Sequence, residues 1–147
     1  MPAVFHYPLT VTPAEIDQLG HANNLVYLEW MIRAALAHSA AQGWPAERYE
    51  SLGAGWIVRS HEIKYLRPAF VHEEVLVRTW VADTRRASSL RRYRMLRPRD
   101  GAVLATAATE WAFVNFANGG VVRIPPEVAE AYIVAGDEPS DELIAPA

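Results

Sequence analysis

Hydrophobic positions recur at two different spacings along this chain, and the change of spacing separates a helical part from a strand-forming part. Before residue 43 the apolar and small residues fall three or four positions apart, which places them on one face of a helix. That face carries Leu25, Leu28, Ile32, Ala35, Leu36 and Ser39. Gly43 ends the helix and Pro45 prevents its resumption, so the pattern predicts one helix of about five turns.

From Gly55 onward apolar residues alternate with polar ones, which is the spacing of β-strands. Ile57, Ile63 and Tyr65 share one face of the first of these strands, and Pro68 ends it.

Three more strands are predicted over residues 75–82, 88–97 and 103–116. The pair Asp100-Gly101 is a strong hairpin signal between the last two. One face of the last strand carries Val103, Ala105, Ala107, Thr109, Trp111 and Phe113.

The two ends of the chain complete the predicted order of elements. Phe5 to Val11 is β-prone, and Pro8 within it confines the strand to a sheet edge or divides it in two. Residues 126–135 suit a short helix that begins with proline and an acid. One early strand, one long helix and then an antiparallel meander is the order of an α+β domain.

Composition narrows the class of protein without identifying it. The 147 residues are 51% hydrophobic and 21% charged, which is typical of a single globular domain. Cysteine is absent, so a disulfide framework or a thiolate metal site is excluded. No apolar stretch approaches bilayer length, so we expect no membrane association and a cytoplasmic location. The net charge of −3 argues against nucleic acid as a partner.

Arginine is concentrated in one short segment. On the strand predicted there, Leu90, Arg92, Arg94 and Leu96 face one way, whereas Arg91, Tyr93, Met95 and Arg97 face the other. The guanidinium groups therefore cannot form a single patch, and a solvated, salt-bridged outer face is expected for most of them.

The residues with the clearest chemistry precede the long helix. Asp17, Gly20, His21, Asn23 and Asn24 place an acid, a turn, an imidazole and two amides just ahead of the first helical turn. Backbone N–H groups in that turn lack intrahelical partners and carry the positive end of the helix dipole, so they can stabilise an oxygen that gains negative charge. An adjacent carboxylate that attacks the same carbonyl, or directs water at it, would perform acyl transfer.

Four motifs together resemble hotdog-fold thioesterases, namely the 4-hydroxybenzoyl-CoA thioesterase family and its acyl-ACP thioesterase relatives. They are Asp17-x-x-Gly20-His21-x-Asn23-Asn24-x-x-Tyr27, Tyr65-Leu66-Arg67-Pro68-Ala69, Glu110-Trp111-Ala112-Phe113-Val114 and Arg123-Ile124-Pro125-Pro126-Glu127. The likeness covers roughly residues 5–135 in the expected order. It implies an α+β hotdog fold over residues 1–136, an antiparallel sheet wrapped around one long central helix, with an acidic and flexible tail over residues 137–147.

The resemblance also assigns roles to individual residues. Asp17 takes the position of the catalytic carboxylate, as nucleophile or as general base, although an isolated Asp would more often cap a turn or face water. The Asn24 backbone N–H would polarise the thioester carbonyl, while its side chain suits an ordinary N-cap. His21 would orient the loop or transfer a proton, and the asparagine of the acyl-ACP branch is replaced by Leu19. Asn23 and Tyr27 complete the substrate side, the first mainly by tying the loop and the second at the dimer interface or acyl pocket.

The expected activity is hydrolysis of an acyl- or aryl-CoA thioester in a homodimer or homotetramer, with no metal and no cofactor beyond the coenzyme A of the substrate. Arg85 and Arg86 either bind the phosphates of coenzyme A or belong to the solvated face. An acyl-ACP thioesterase, a hydratase and a non-catalytic acyl-CoA-binding protein remain alternatives. The sequence does not indicate the acyl group.

Overall fold

A computed structural model describes residues 3–140, and over these residues the chain forms one antiparallel sheet with helices packed on it. The strands are β1 (Phe5–Thr10), β2 (Ala54–Tyr65), β3 (Glu74–Thr84), β4 (Ser88–Arg97) and β5 (Ala102–Asn115). The helices are α1 (Asn24–Ala41), α2 (Ala46–Leu52) and α3 (Pro126–Ala129), and a 3₁₀ turn spans Pro13–Glu15. Strands and one long helix in this order confirm the predicted α+β class.

The strands are arranged in the order β1-β3-β4-β5-β2, and all neighbouring pairs are antiparallel. The predicted meander is therefore right for β3, β4 and β5 but wrong for β2, which pairs with β5 at the far edge. Pro8 lies opposite Leu76 in an edge strand, as predicted. The connection from β2 to β3 packs against the loop before α1, where the Ala22 N–H donates to the Ala69 carbonyl at 2.8 Å.

Helix α1 packs on the sheet through a face that matches the predicted one only in part, since Ala35 and Ser39 are buried as predicted. Its buried apolar residues are Val26, Tyr27, Trp30, Met31, Ala34 and Ala35. Leu25 and Leu36 are instead 68% and 58% exposed. Apolar residues occur on nearly every side of this helix, so the spacing of leucines did not identify the side whose larger aromatic groups fill the core.

Helix α2 was missed because Pro45 was interpreted only as a helix breaker. Proline is acceptable just before a first helical turn, and Pro45 is the N-cap of α2. Tyr49 of this helix and Trp44 before it join Phe113 in a second apolar cluster, with Ile124 and Val128 from the C-terminal segment.

Two bulges change the side-chain alternation that the sequence predicted. In β2 the pairing moves from Val58 with Trp111 to Ser60 with Glu110, so Arg59 is the extra residue. Ile57 therefore faces away from Ile63 and Tyr65, and the prediction that the three share a face was wrong. A second irregularity beside Met95 buries Leu104 in the core in place of Val103.

The segment after α3 joins the sheet instead of continuing the helix to residue 135. Val134 bridges Val81 in parallel, and Trp80 Nε1 donates to the Gly136 carbonyl at 2.9 Å. On the same face Arg92 pairs with Asp137 at 2.7 Å. The prediction of a flexible tail from residue 137 stays a prediction, because residues 141–147 lie outside the described part of the chain.

The arginine segment divides between the two faces of β4 as predicted, but the two faces differ in environment. Arg92 and Arg94 lie on the outer face, where Arg94 pairs with Glu138 at 3.5 Å. Arg91 is only 5% exposed and lies on the helix side of the sheet, so the expectation of a solvated guanidinium was wrong for this residue. Within residues 3–140 no helix is long and apolar enough to cross a bilayer.

Candidate active site

A short hairpin-like loop places Asp17 beside the start of α1. Ile16 bridges Ala22, and the Asp17 N–H donates to the His21 carbonyl at 3.0 Å. Gly20 turns the loop with a φ of 87°, a left-handed conformation that glycine adopts without strain. Since Asn23 also donates to the Glu15 carbonyl at 2.9 Å, the residues on both sides of Asp17 are fixed against the residues that begin the helix.

The Asp17 carboxylate is oriented by the loop itself. Oδ1 accepts a hydrogen bond from the Leu19 N–H at 2.9 Å. The side chain is 22% exposed, so the carboxylate is reachable from solvent without standing free in it. Oδ1 is thus held by the backbone, whereas Oδ2 is the oxygen that could react with a substrate or a water molecule.

The first turn of α1 has one backbone donor left over. Asn23 is the N-cap, and its Oδ1 accepts from the Leu25 N–H at 2.9 Å, so the cap is not Asn24. The Asn23 carbonyl accepts from the Val26 N–H at 2.9 Å. Asn24 is the first helical residue, and its N–H has no intrahelical acceptor. On its other side, the Asn24 carbonyl accepts from the Tyr65 hydroxyl at 3.0 Å, which ties the helix start to the end of β2.

Residues 11–132 match the family model described as the thioesterase-like superfamily. The chain belongs to this thioesterase-like superfamily. The match covers the loop, the helix and all of the strands except β1, so the prediction of a thioester hydrolase is confirmed at the level of the family.

Solved structures of thioesterases share the hotdog fold of this superfamily member. A provisionally assigned oleoyl thioesterase from Lactobacillus plantarum aligns with a TM-score of 0.84 and 23% identity over 89% of this chain, which spans 51% of that one. A 1,4-dihydroxy-2-naphthoyl-CoA thioesterase from Synechocystis aligns with a TM-score of 0.81 and 17% identity, over 87% of this chain and 94% of that one. A Staphylococcus aureus protein in complex with CoA gives a TM-score of 0.83 and 15% identity, over 89% and 82%. No curated protein matches the chain significantly in sequence.

His21 lies within ion-pair distance of Asp17 but too far away for a hydrogen bond. Its Nδ1 is 3.9 Å from Asp17 Oδ2 and 3.2 Å from the Ala22 carbonyl. Because a carbonyl oxygen only accepts, this contact requires the proton on Nδ1 and leaves Nε2 as the acceptor of a neutral ring. The imidazole is 31% exposed, and its role in orienting the loop or in proton transfer stays a prediction.

Tyr27 lies in the core instead of on an open surface. It is 2% exposed, and its ring centroid is 4.8 Å from Trp30 and 5.1 Å from Tyr65. Burial raises the pKa of Tyr27 above its ordinary value, so the phenol is neutral at physiological pH. Its predicted role at the dimer interface or in the acyl pocket stays a prediction.

Arg85 and Arg86 lie at the other end of the sheet from Asp17. Asp17 is next to the segment that enters β3, whereas both arginines follow the end of that strand, about 33 Å away at 3.3 Å per residue. Both side chains are exposed, and Arg85 Nε pairs with Asp83 at 3.2 Å. Their binding of coenzyme A phosphates stays a prediction.

Sequence reasoning missed a carboxylate that supports the loop. Glu15 Oε1 accepts from the Thr12 N–H at 2.9 Å, and Oε2 accepts from Trp30 Nε1 at 2.9 Å. Partial burial acts to raise the pKa of Glu15, but the hydrogen bonds from Thr12 and Trp30 outweigh it, so the pKa lies below its ordinary value. The signal was present, since Thr-x-x-Glu is the spacing of a capping box. Within residues 3–140 no group of His, Asp and Glu side chains is arranged to hold a metal ion.

Proposed function

We propose that this protein hydrolyses the thioester of an acyl- or aryl-CoA to the free acid and coenzyme A, with Asp17 as the reacting carboxylate. The observation that carries the proposal is the loop geometry, in which the Asp17–His21 and Asn23–Glu15 backbone hydrogen bonds hold Asp17 against the residues that begin α1. The thioester carbonyl oxygen accepts from the Asn24 N–H, and the positive end of the helix stabilises the charge that develops on that oxygen.

Asp17 can act on the carbonyl carbon in two ways. As a nucleophile, Oδ2 bonds to the carbon and the coenzyme A thiolate leaves, which gives a mixed anhydride that water then hydrolyses. As a general base, the carboxylate takes a proton from a water molecule that attacks the same carbon. The Leu19 N–H holds Oδ1 in both cases, so the geometry supports either role.

Coenzyme A is the carrier that the similar proteins support. The name of the Synechocystis protein specifies a CoA thioester, and the Staphylococcus aureus protein was solved with CoA bound. We extend this carrier to the present chain. Leu19 replaces the asparagine that the acyl-ACP branch carries, which makes an ACP thioester the second choice.

We further propose that the working unit is at least a homodimer joined through β2. This strand is a twelve-residue sheet edge, and Ile57, Val58 and Tyr65 on it are 40%, 37% and 44% exposed. Long sheet edges that carry exposed apolar side chains are normally covered in stable proteins. Two-fold pairing of β2 with itself is antiparallel, so the Gly55 end of one strand meets the Tyr65 end of the other. Arg85 and Arg86 of one protomer would then approach the Asp17 loop of its partner.

The decisive experiment is Asp17→Asn assayed with a panel of acyl- and aryl-CoA thioesters and a thiol reporter. The substitution keeps the size of the side chain and removes its charge, so we expect kcat to fall by about 10²- to 10⁴-fold, the range of general base catalysis. Asp137→Asn, which removes a carboxylate from the outer face, is the matched control and should leave kcat unchanged.

Isotope labelling distinguishes the two roles of Asp17. After repeated turnover in ¹⁸O-water, a nucleophile places label in the Asp17 carboxylate, whereas a general base leaves label only in the acid product. An Asp17→Asn protein that turns over every active thioester at the wild-type rate would remove this residue from the mechanism. Binding of acyl-CoA without turnover by the wild-type protein would favour the non-catalytic alternative.

A further inference from the structure

A cavity lies at the end of the sheet remote from Asp17. It has a volume of about 580 Å³ and opens between the second half of α1, helix α2, the C-terminal segment and the sheet. Small-molecule sites typically occupy 300–1,000 Å³, so this cavity is large enough for a ligand. Much of its wall is apolar and includes Trp44, Trp56, Val81, Trp111, Phe116 and Val128.

Within one protomer this cavity is separate from the Asp17 loop. Its lining begins at Ala35 and contains no residue of the loop or of the first turns of α1. Residues 35–40 lie about 16–24 Å along α1 from Asn24 at 1.5 Å per residue. Trp30 and Met31, both 0% exposed, fill the space between helix and sheet on the way. The wall is therefore not part of the Asp17 loop of the same protomer.

A buried arginine with no acidic partner lines this cavity. Arg91 is 5% exposed, and its Nη1 donates to His38 Nδ1 at 2.9 Å and to Thr79 Oγ1 at 3.0 Å. Both acceptors are neutral groups, and Arg91 forms no ion pair with any carboxylate of the described residues. A guanidinium has five N–H donors, and these bonds use only Nη1. Buried charges in proteins are normally paired, so the position calls for an anion.

The ring and hydroxyl groups packed beside Arg91 include no carboxylate. Tyr132 lies under the guanidinium, with 5.8 Å between the ring centroid and Cζ. Tyr49 Oη accepts from Trp56 Nε1 at 3.1 Å. Burial is the main cause that raises the pKa of Tyr132 to about 12, so this phenol does not supply the missing negative charge. Glu47 and Glu50 also line the cavity, but both are exposed on α2, whereas Arg91 occupies its buried part.

We propose that this cavity binds an apolar group that ends in a carboxylate, with Arg91 as the partner of the carboxylate and the aromatic wall around the apolar part. Charge-assisted pairing of a guanidinium with a carboxylate supplies direction as well as energy. Such a ligand has two possible sources. One is a free apolar acid, and the other is the distal carboxylate of an acyl group whose thioester lies at the Asp17 loop of a partner protomer, which rests on the proposed function.

Calorimetry on the full-length chain tests the shared chemistry without relying on turnover. Octanoate and octanamide have the same length and differ in charge, so we expect wild-type protein to bind octanoate roughly tenfold or more tightly, as one charge-assisted bond implies. Arg91→Met should remove the preference and retain binding of octanamide. Arg92→Met, on the opposite face of the same strand, is the matched control and should keep the preference. Equal affinities of the wild-type protein for octanoate and octanamide would overturn the proposal.

Kinetics separates the two sources. We expect kcat/KM for 7-carboxyheptanoyl-CoA to exceed that for octanoyl-CoA, and this preference to vanish in Arg91→Met, if the acyl group brings the carboxylate. A calorimetric preference for octanoate with equal kcat/KM values assigns the cavity to the free acid instead. If no thioester is turned over at all, the proposed function fails while the calorimetric result still decides whether the cavity binds carboxylates.

Discussion

His38 should make the stability of this protein fall in mildly acidic solution, well above the pH at which carboxylates titrate. The imidazole is 2% exposed and stacks with Phe5 at a centroid distance of 5.1 Å. Tyr132 packs edge-on at 5.2 Å, and Arg91 donates to Nδ1 at 2.9 Å. Burial first and the Arg91 charge second lower the pKa of His38 to about 3. Protonation of His38 would therefore place a second positive charge beside the Arg91 guanidinium in a buried site.

The sign and size of the effect follow from proton linkage. In the unfolded chain His38 regains a pKa near 6.5. Below that pH the unfolded state therefore binds a proton that the folded state does not bind. Stability contributed by the neutral ring is complete above pH 6.5 and is lost as the pH falls toward the folded pKa. One pKa unit corresponds to 1.36 kcal/mol, so at pH 5 this residue alone should reduce the free energy of unfolding by about 2 kcal/mol.

Urea unfolding of the wild type and of His38→Gln at one protein concentration measures this contribution. Glutamine retains an acceptor for Arg91 and does not titrate, and both proteins share every other titrating group. The free energy of unfolding of the wild type minus that of the variant should fall by about 2 kcal/mol between pH 7.5 and pH 5. A difference that stays constant over this range would show that His38 has an ordinary pKa in the folded state, and the reasoning from its burial would be refuted.

Two further predictions concern assembly and the carrier. Sedimentation velocity at micromolar concentration should show no monomer, because the open β2 edge is expected to be paired, and a dominant monomer with full activity would contradict the shared site. Reversing the charge of both Arg85 and Arg86 to glutamate should raise KM for acyl-CoA strongly while hydrolysis of a truncated thioester stays nearly unchanged, since phosphate contacts lie far from the reacting carbonyl. An equal loss on both substrates would instead indicate damaged folding or a wrong carrier site.

The sequence predicted best where one strong local signal determines the structure. Pro8 indicated an edge strand, and the Asp100-Gly101 pair indicated the β4–β5 hairpin, in which Gly101 has a φ of 70°. It predicted worst where one extra residue changes a long pattern. Arg59 carries no mark of a bulge, yet it reverses the side-chain alternation of half of β2.

The candidate site was predictable as a set of residues but not as a geometry. A family motif identified Asp17 and the start of α1, whereas only the folded structure distinguishes Asn23 as the N-cap from Asn24 as the first helical residue. The burial of Arg91 was predictable, because its predicted face also carried Tyr93 and Met95, both of which are buried. The charge of Arg91 suggested a solvent-exposed side chain, but its position on the same strand face as Tyr93 and Met95 already indicated a buried one.

The two edge strands, β1 and β2, differ in their capacity to pair with a strand of another chain. This difference bears on how far copies of the protein could polymerise. Pro8 interrupts the N–H groups along β1, so that edge is a poor template for another strand. The long β2 edge has no proline. If two identical copies pair along β2, the edge without proline is covered in each copy. Only the β1 edges, which contain Pro8, then remain open. In the proposed dimer strand pairing would then stop at two chains, so the exposed β2 edge would not lead to fibres.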